Sequence, residues 1–190
     1  MRRACDNPFA VHRVLRERYR LGEAEWAQLL AQLDARHRRG AFVGPQGAGK
    51  TTLLEDLGER LAASGWKIIF LRLSAERGQF TLRSVRERVA RAGARDFILL
   101  DGAEQLGPIA WWRFRFWSRR AGGIVVTSHR GGRLPLLRRC ETSPPLLREL
   151  VTSLGVEISG EDSAMLHARH HGNLRNALRE LYDAEAGRNL

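Results

Sequence analysis

"GPQGAGKTT", residues Gly44 to Thr52, fits the pattern G-x-x-x-x-G-K-[ST]. Glycines at this spacing let backbone N–H groups curl around phosphate oxygens, and a helix that starts at the lysine adds its positive end. The local context agrees. "AFVG" (Ala41 to Gly44) is a short apolar run that ends in glycine and reads as a buried strand. Lys50 to Ala63 reads as a helix, with Leu53, Leu54, Leu57 and Leu61 on one side. Gly44, Pro45, Gln46, Gly47, Ala48 and Gly49, with Lys50, Thr51 and Thr52, are therefore the expected phosphate-binding set. Lys50 is expected to reach the β- and γ-phosphates of ATP, and the Thr51 hydroxyl to ligate Mg²⁺.

Outward from the loop, three more apolar runs read as strands: "KIIFLRL" (Lys67 to Leu73), "DFILLD" (Asp96 to Asp101) and "GIVVTS" (Gly123 to Ser128). A helical pattern separates the first two, Thr81 to Ala92, with Leu82, Val85 and Val89 at spacings of three and four. Upstream, Trp26, Leu29, Leu30 and Leu33 mark a helix from Glu23 to about Arg38, which Gly40 stops. Strands without polar alternation, separated by helices, imply a parallel sheet covered on both faces. The fold class is α/β, a P-loop NTPase whose ligands sit at the carboxyl ends of the strands. Asp101 ends an apolar strand where a metal-shell carboxylate belongs, although Asp is also a good helix cap.

Beyond the sheet the chain turns helical. "TSPPLLRELVTSLG" starts after two prolines and stops at Gly155. Ser159 with Asp162 forms the pattern of a capping box, for a helix running to His170. Asn173 can cap a last helix whose stripe is Leu174, Ala177, Leu178 and Leu181. The expected segments are an N-terminal helical region (1–39), a P-loop core (40–143) and a small helical lid (144–190).

From about Gly40 to Tyr182 the chain resembles the P-loop ATPases of the AAA+ class. The shared features are the loop, the Walker B-like "FILLDGAE", the polar end of "VVTSHR", and a lid that looks like those of clamp loaders and replication initiators, with its Gly-x-x-Arg turn. The resemblance implies Mg-ATP bound between core and lid. It implies that Thr127 or Ser128 is the sensor 1 group, and that Arg175 reaches from the lid to phosphate as sensor 2, its alternative being a solvated surface arginine. It also implies adenine packing near Asn7–Phe9, an arginine finger in a homo-oligomer from the region of Arg138 and Arg139, and an unidentified protein partner. One position departs. AAA+ enzymes usually carry the catalytic Glu directly after the metal-shell Asp, and here Gly102 stands there. Glu104, three residues after Asp101, is the candidate general base if Gly102 turns the chain. Otherwise Gln105 or a sensor residue positions the water, and the protein is a slow or non-hydrolysing nucleotide switch.

"WWRFRFWSRR" (Trp111 to Arg120) is the ambiguous stretch. Trp112, Phe114 and Phe116 alternate with Arg113 and Arg115 like a strand, but two parallel strands need a crossover, which only a helix here supplies. Wound as a helix, Ile109, Trp112 and Phe116 are expected to bury against the sheet, flanked by Phe114 and Trp117. Trp111, with Arg115 and Arg119, is left for the surface, for packing on the N-terminal helix, or for a partner. Arg113 and Arg120 fall close to the apolar arc.

Composition bounds the rest. The 190 residues are 43% hydrophobic and 28% charged, and carry a net charge of +11. The only lysines are Lys50 and Lys67. A GC-rich coding sequence accounts for Arg in place of Lys, but not for the surplus of base over acid, which favours DNA or another polyanion as partner. The longest apolar runs are too short to cross a bilayer, and the N-terminus lacks the apolar stretch of a signal peptide, which points to a cytoplasmic protein with no membrane partner. Cys5 and Cys140 give no disulfide framework and read as reduced thiols. His167 and His171 stand four apart, a metal-pair spacing, but no third ligand joins them and the segment reads as ordinary lid. A small-molecule kinase built on the same loop would need an acceptor pocket and an Arg-bearing insertion between strands, and no such insertion is present.

Overall fold

The computed structural model describes residues 21–73 and 82–187. Cys5, the Asn7–Phe9 stretch and Thr81 lie outside the described residues. Among the described residues, seven α-helices accompany five strands: α1 (Glu23–Ala35), β1 (Arg39–Val43), α2 (Lys50–Ala63), β2 (Lys67–Arg72), α3 (Leu82–Val89), β3 (Asp96–Asp101), α4 (Pro108–Trp117), β4 (Gly123–Ser128), β5 (Leu136–Arg139), α5 (Pro144–Ser153), α6 (Gly160–Arg169) and α7 (Leu174–Gly187). They form two compact units. One comprises 21–44, 50–73 and 82–139; the other comprises 45–49 and 140–187.

The first unit is built on a five-stranded sheet in the order β2-β3-β4-β1-β5, with every pairing parallel. Parallel neighbours demand crossovers, and α2, α3 and α4 supply them. β3 and β4 are buried almost throughout because helices cover both faces of the sheet. The face presenting Ile98, Leu100, Ile124 and Val126 packs with Val85 and Val89 of α3 and Phe114 of α4. α2 lies on the opposite face, where Gly58 abuts Leu99, and its expected stripe of Leu53, Leu54, Leu57 and Leu61 is buried. Register then lines up the strand ends: Val43 pairs with Ser128, and Arg72 with Asp101.

The aromatic stretch is a crossover helix, as topology requires, but its inward face is not the expected one. Ile109, Trp112 and Phe116 are 70%, 67% and 50% exposed, whereas Phe114 is fully buried and Ala110, Trp111 and Trp117 pack partly against the core. The arginines decide this. The arc of Ile109, Trp112 and Phe116 also contains Arg113 and Arg120, and an unpaired guanidinium costs several kcal/mol to bury. That exceeds the ~1.5–3 kcal/mol gained by burying one large apolar side chain. The arc of Ala110, Trp111, Phe114, Trp117, Ser118 and Ala121 contains no arginine and turns inward.

A strand not anticipated from local pattern is β5, an edge strand beside β1. It places Arg138 against α1, 3.1 Å from Glu25 Oε1.

The second unit has its own core: Leu147 and Val151 of α5, Leu154, Leu166 of α6, and Leu174, Ala177 and Leu178 of α7. Its helix starts are capped, two of them, at Ser159 and Asn173, as the sequence suggests. Ser143 Oγ accepts from Leu146 N (3.3 Å), Ser159 Oγ from Asp162 N (3.0 Å), and Asn173 Oδ1 from Asn176 N (3.2 Å). Each such cap contributes about 1 kcal/mol. Cys140 is buried and in no disulfide. None of the described helices is long and apolar enough to cross a membrane.

Candidate functional site

The carboxyl edge of the sheet gathers the expected residues of the first unit. β1 ends at Val43, and Gly44 N donates to Ser128 O at 3.2 Å, tying the start of the loop to the end of β4. α2 begins at Lys50, which is buried, and its Nζ donates to Gly44 O at 2.8 Å. The cation is thereby held inside the turn it follows. One residue on, Thr51 Oγ1 lies 3.1 and 3.0 Å from the two carboxylate oxygens of Asp101. The hydroxyl and the carboxylate thus converge from α2 and β3.

Asp101 is held on further sides. Thr127 Oγ1 donates to its Oδ1 at 2.7 Å and accepts from Gly102 N at 2.8 Å. Arg72 Nε lies 3.3 Å from Oδ2, while the same guanidinium reaches Glu55 Oε1 at 2.5 Å. Arg72 was invisible to local pattern: its only signal is that it ends β2 in register with Asp101. Thr127 spends its hydroxyl on orienting Asp101. Ser128, also buried, accepts from Arg130 N at 3.4 Å.

Gly102 does turn the chain. Its φ of 85° and ψ of 40° are left-handed, and a Cβ there would meet Leu73 O at 2.5 Å. A single turn of 3-10 helix, Ala103–Gln105, follows and carries Glu104. Glu104 Oε1 lies 3.3 Å from His129 Nε2, and Oε2 is buried with no hydrogen-bond partner. Native structures leave few such atoms unpaired, so this oxygen asks for a donor such as water. Gln105, the alternative water-positioning residue, is exposed.

In the second unit, Pro45–Gly49 packs with the helical residues. Gly47 has φ 77°, and a Cβ on it would come 2.1 Å from Asn173 Oδ1 and 3.3 Å from Arg175 N. Glycine at this variable motif position is therefore required twice, by conformation and by the close approach of the turn that opens α7. Pro45, Gln46, Ala48 and Gly49 complete the loop, with Ala48 N donating to Pro45 O at 3.4 Å. The Arg175 side chain is exposed, off the stripe of Leu174, Ala177 and Leu178. His167 Nε2 lies 3.1 Å from Thr142 Oγ1, a structural contact within this unit.

The donors at Thr51 and Asp101 are hard oxygens. Mg²⁺ suits such a set, since it usually takes one or two carboxylates plus phosphate oxygens and water. Among the described residues no cluster of three or more His, Cys, Asp or Glu forms an all-protein metal cage. Such a partial set fits Mg²⁺ that takes its remaining ligands from water or phosphate oxygens.

No protein-family model and no curated protein matches this chain. Solved structures do. Two variant forms of RuvB from Thermotoga maritima align at 18% and 17% identity with TM-scores of 0.57 and 0.55, over 88% and 85% of this chain and 64% and 61% of theirs. AMPPCP-bound DnaA from Aquifex aeolicus aligns at 17% identity and TM-score 0.51, over 78% of this chain and 57% of that one. The chain spans less than two thirds of each of these structures. RuvB and DnaA are AAA+ P-loop ATPases, and the likeness establishes an AAA+-like P-loop NTPase fold here.

Proposed function

We propose that this chain binds ATP with Mg²⁺ at the Gly44–Thr52 loop, hydrolyses the β–γ phosphoanhydride, and couples nucleotide state to a partner, with DNA the polyanion its +11 charge favours. The observation that carries the reading is the convergence of Thr51 and Thr127 on Asp101. Backbone N–H groups of the loop and Lys50 bind the phosphates. Mg²⁺, held by Thr51 and Asp101, would neutralise charge on the phosphate oxygens. Thr127 acts as a positioning residue for Asp101, which leaves Ser128 to serve as the sensor at the end of β4. Arg175 lies on the turn beside Gly47 and reaches the phosphates from there.

Hydrolysis adds water to the γ-phosphorus as the bond to the bridging oxygen breaks, releasing ADP and phosphate. Glu104 is the base: its unpaired oxygen takes the proton of that water, and His129 holds the other oxygen. Glu104→Gln keeps the shape and removes the basicity, so ATP turnover should fall by about 100-fold. Nucleotide binding, read as thermal stabilisation, should persist. Equal turnover in the variant would transfer the role to Ser128 and leave Glu104 as a structural partner of His129.

Arg72 shares the Asp101 carboxylate that would hold the cation. Half-exposed pairs of this kind contribute ~0.2–1 kcal/mol, so Arg72→Ala should lower the Mg²⁺ concentration for half-maximal turnover by about two- to five-fold. A higher requirement would mean that Arg72 orients Asp101 instead of competing for it.

A second reading, a nucleotide-dependent switch with little turnover, draws on Gly102 standing where AAA+ enzymes usually carry Glu. Steady-state turnover of the purified protein, with and without single- and double-stranded DNA, separates the two. Negligible turnover despite ATP binding would favour the switch, or an enzyme completed by an arginine from a neighbouring subunit. Arg138, one candidate for that arginine, is engaged with Glu25 of its own chain.

A further inference from the structure

The crossover helix α4 turns an aromatic face outward. Trp112 and Phe116 are 67% and 50% exposed, and their rings are nearly parallel, at 18° with centroids 6.1 Å apart. The Arg119 guanidinium lies 4.4 Å from the Phe116 centroid, which continues the row along the helix. Exposed arginines Arg113 and Arg120 lie on the same arc. Large exposed rings that contribute nothing to a core need another explanation.

The sequence around α4 is basic, and the one acid on the neighbouring helix α3, Glu87, is paired with Arg83. Between Glu104 and Glu141 there is no acidic residue, while eight arginines occur. Nearby, burial and then the neighbouring Arg115 and Arg38 cations pull the Arg39 guanidinium below its ordinary range, so positive charge is crowded on this side even though Arg38 is paired with Asp34. A second copy of this chain would bring the same surplus of charge to the same face and be repelled. An occupant needs distributed negative charge and flat apolar faces together.

From these features we propose that the outward face of α4 binds single-stranded DNA, with unpaired bases stacking on Trp112 and Phe116 and phosphates meeting Arg113, Arg119 and Arg120. The proposal rests on the polyanion partner of the preceding reading but not on ATP turnover. In a duplex the base faces are hidden in the stack, so the rings can engage only unpaired bases. DNA is favoured over RNA because the exposed polar side chains of α4 are arginines engaged by phosphates, and the helix offers no acceptor to which a ribose 2′-OH could donate.

The test is fluorescence anisotropy of a labelled oligo-dT strand, its duplex with oligo-dA, and an oligo-U strand, titrated with the full chain in the absence of nucleotide. The dT strand should bind more tightly than the duplex. Trp112→Ala should weaken it by about ten-fold, and Trp112→Ala with Phe116→Ala by about 100-fold. Both side chains are exposed, so circular dichroism and basal ATP turnover without DNA should match the wild type. The aromatic variants should keep the wild-type salt dependence, whereas each of Arg113→Ala and Arg120→Ala should reduce its slope by about 0.7. Equal affinity of the double aromatic variant and the wild type for dT overturns the proposal, as does equal binding of strand and duplex, or no binding. Tighter binding of oligo-U overturns the choice of DNA. Because the titrations contain no nucleotide, failure here is distinct from failure of the ATPase reading, which shows in turnover alone.

Discussion

Lys50→Ala is expected to lower ATP turnover by about 10²–10³-fold, the loss that follows removal of one preorganised charge from a reacting centre. Lys50 sits at the first residue of α2, buried, with its ammonium 2.8 Å from the Gly44 carbonyl oxygen. No other lysine is available, since Lys67 starts β2 at the opposite end of a strand. Arg72, the arginine that reaches Asp101, is also paired with Glu55. Loss of a hydrogen bond from a charged group changes fold stability by about 1.5–3 kcal/mol, less than the ~5–15 kcal/mol that holds a domain folded, so the variant should remain folded. The informative readout is linkage. Nucleotide at 100 times its Kd stabilises the native state by about 2.7 kcal/mol, which for a domain of this size raises Tm by roughly 5–11 °C. The wild type should show that rise with Mg-ATP and the variant should lose most of it. A variant that keeps both turnover and thermal shift would remove phosphate binding from the loop and, with it, the proposed function.

What was legible in the sequence was whatever depends on near neighbours along the chain. The loop, the four apolar strands, the capped helix starts at Ser159 and Asn173, and the strand-end position of Asp101 all follow from spacings of a few residues. What was not legible depends on partners distant in sequence. The inward face of α4 is one case: both of its faces carry aromatics, and only the cost of burying Arg113 and Arg120 against the sheet selects between them. β5 is another. Its four residues, Leu136–Arg139, include two arginines and become a strand because β1 offers an open edge, with a register shift between Ala41 and Phe42. Arg72 reaches Asp101 only because β2 and β3 pair in that register. Gly102 stands out in the sequence as a departure, but its cause, the Leu73 carbonyl packed against it, lies about thirty residues away in the chain and appears only once the sheet is assembled.

That packing makes the substitution which would seem to repair the site the one expected to damage it most. Gly102→Glu restores the acid that AAA+ enzymes usually carry after the metal-shell Asp. Here the backbone is left-handed at this position, a conformation that costs a residue with Cβ about 1–2 kcal/mol. The Cβ would also lie 2.5 Å from Leu73 O. Leu73 has little freedom to yield, because its N–H donates to Asp101 O at 2.9 Å, and Gly102 itself is tied through its N–H to Thr127 Oγ1. Relief of the clash therefore has to move Asp101, Thr127 or both. A total destabilisation of about 3–4 kcal/mol is expected once overpacking is added to the backbone term, lowering Tm by roughly 6–16 °C. Turnover should fall at least ten-fold even below that Tm, since displacement of a positioned group by an ångström is enough to do so. Gly102→Ala separates the two contributions. It carries the same Cβ without the carboxylate, so it should lose nearly as much stability and turnover as Gly102→Glu. If Gly102→Glu instead raised turnover while Gly102→Ala lowered it, the carboxylate would be acting from position 102. Glu104 would then be displaced from the role of base, and the turn at Gly102 would mark a site held below its catalytic capacity, as a switch requires.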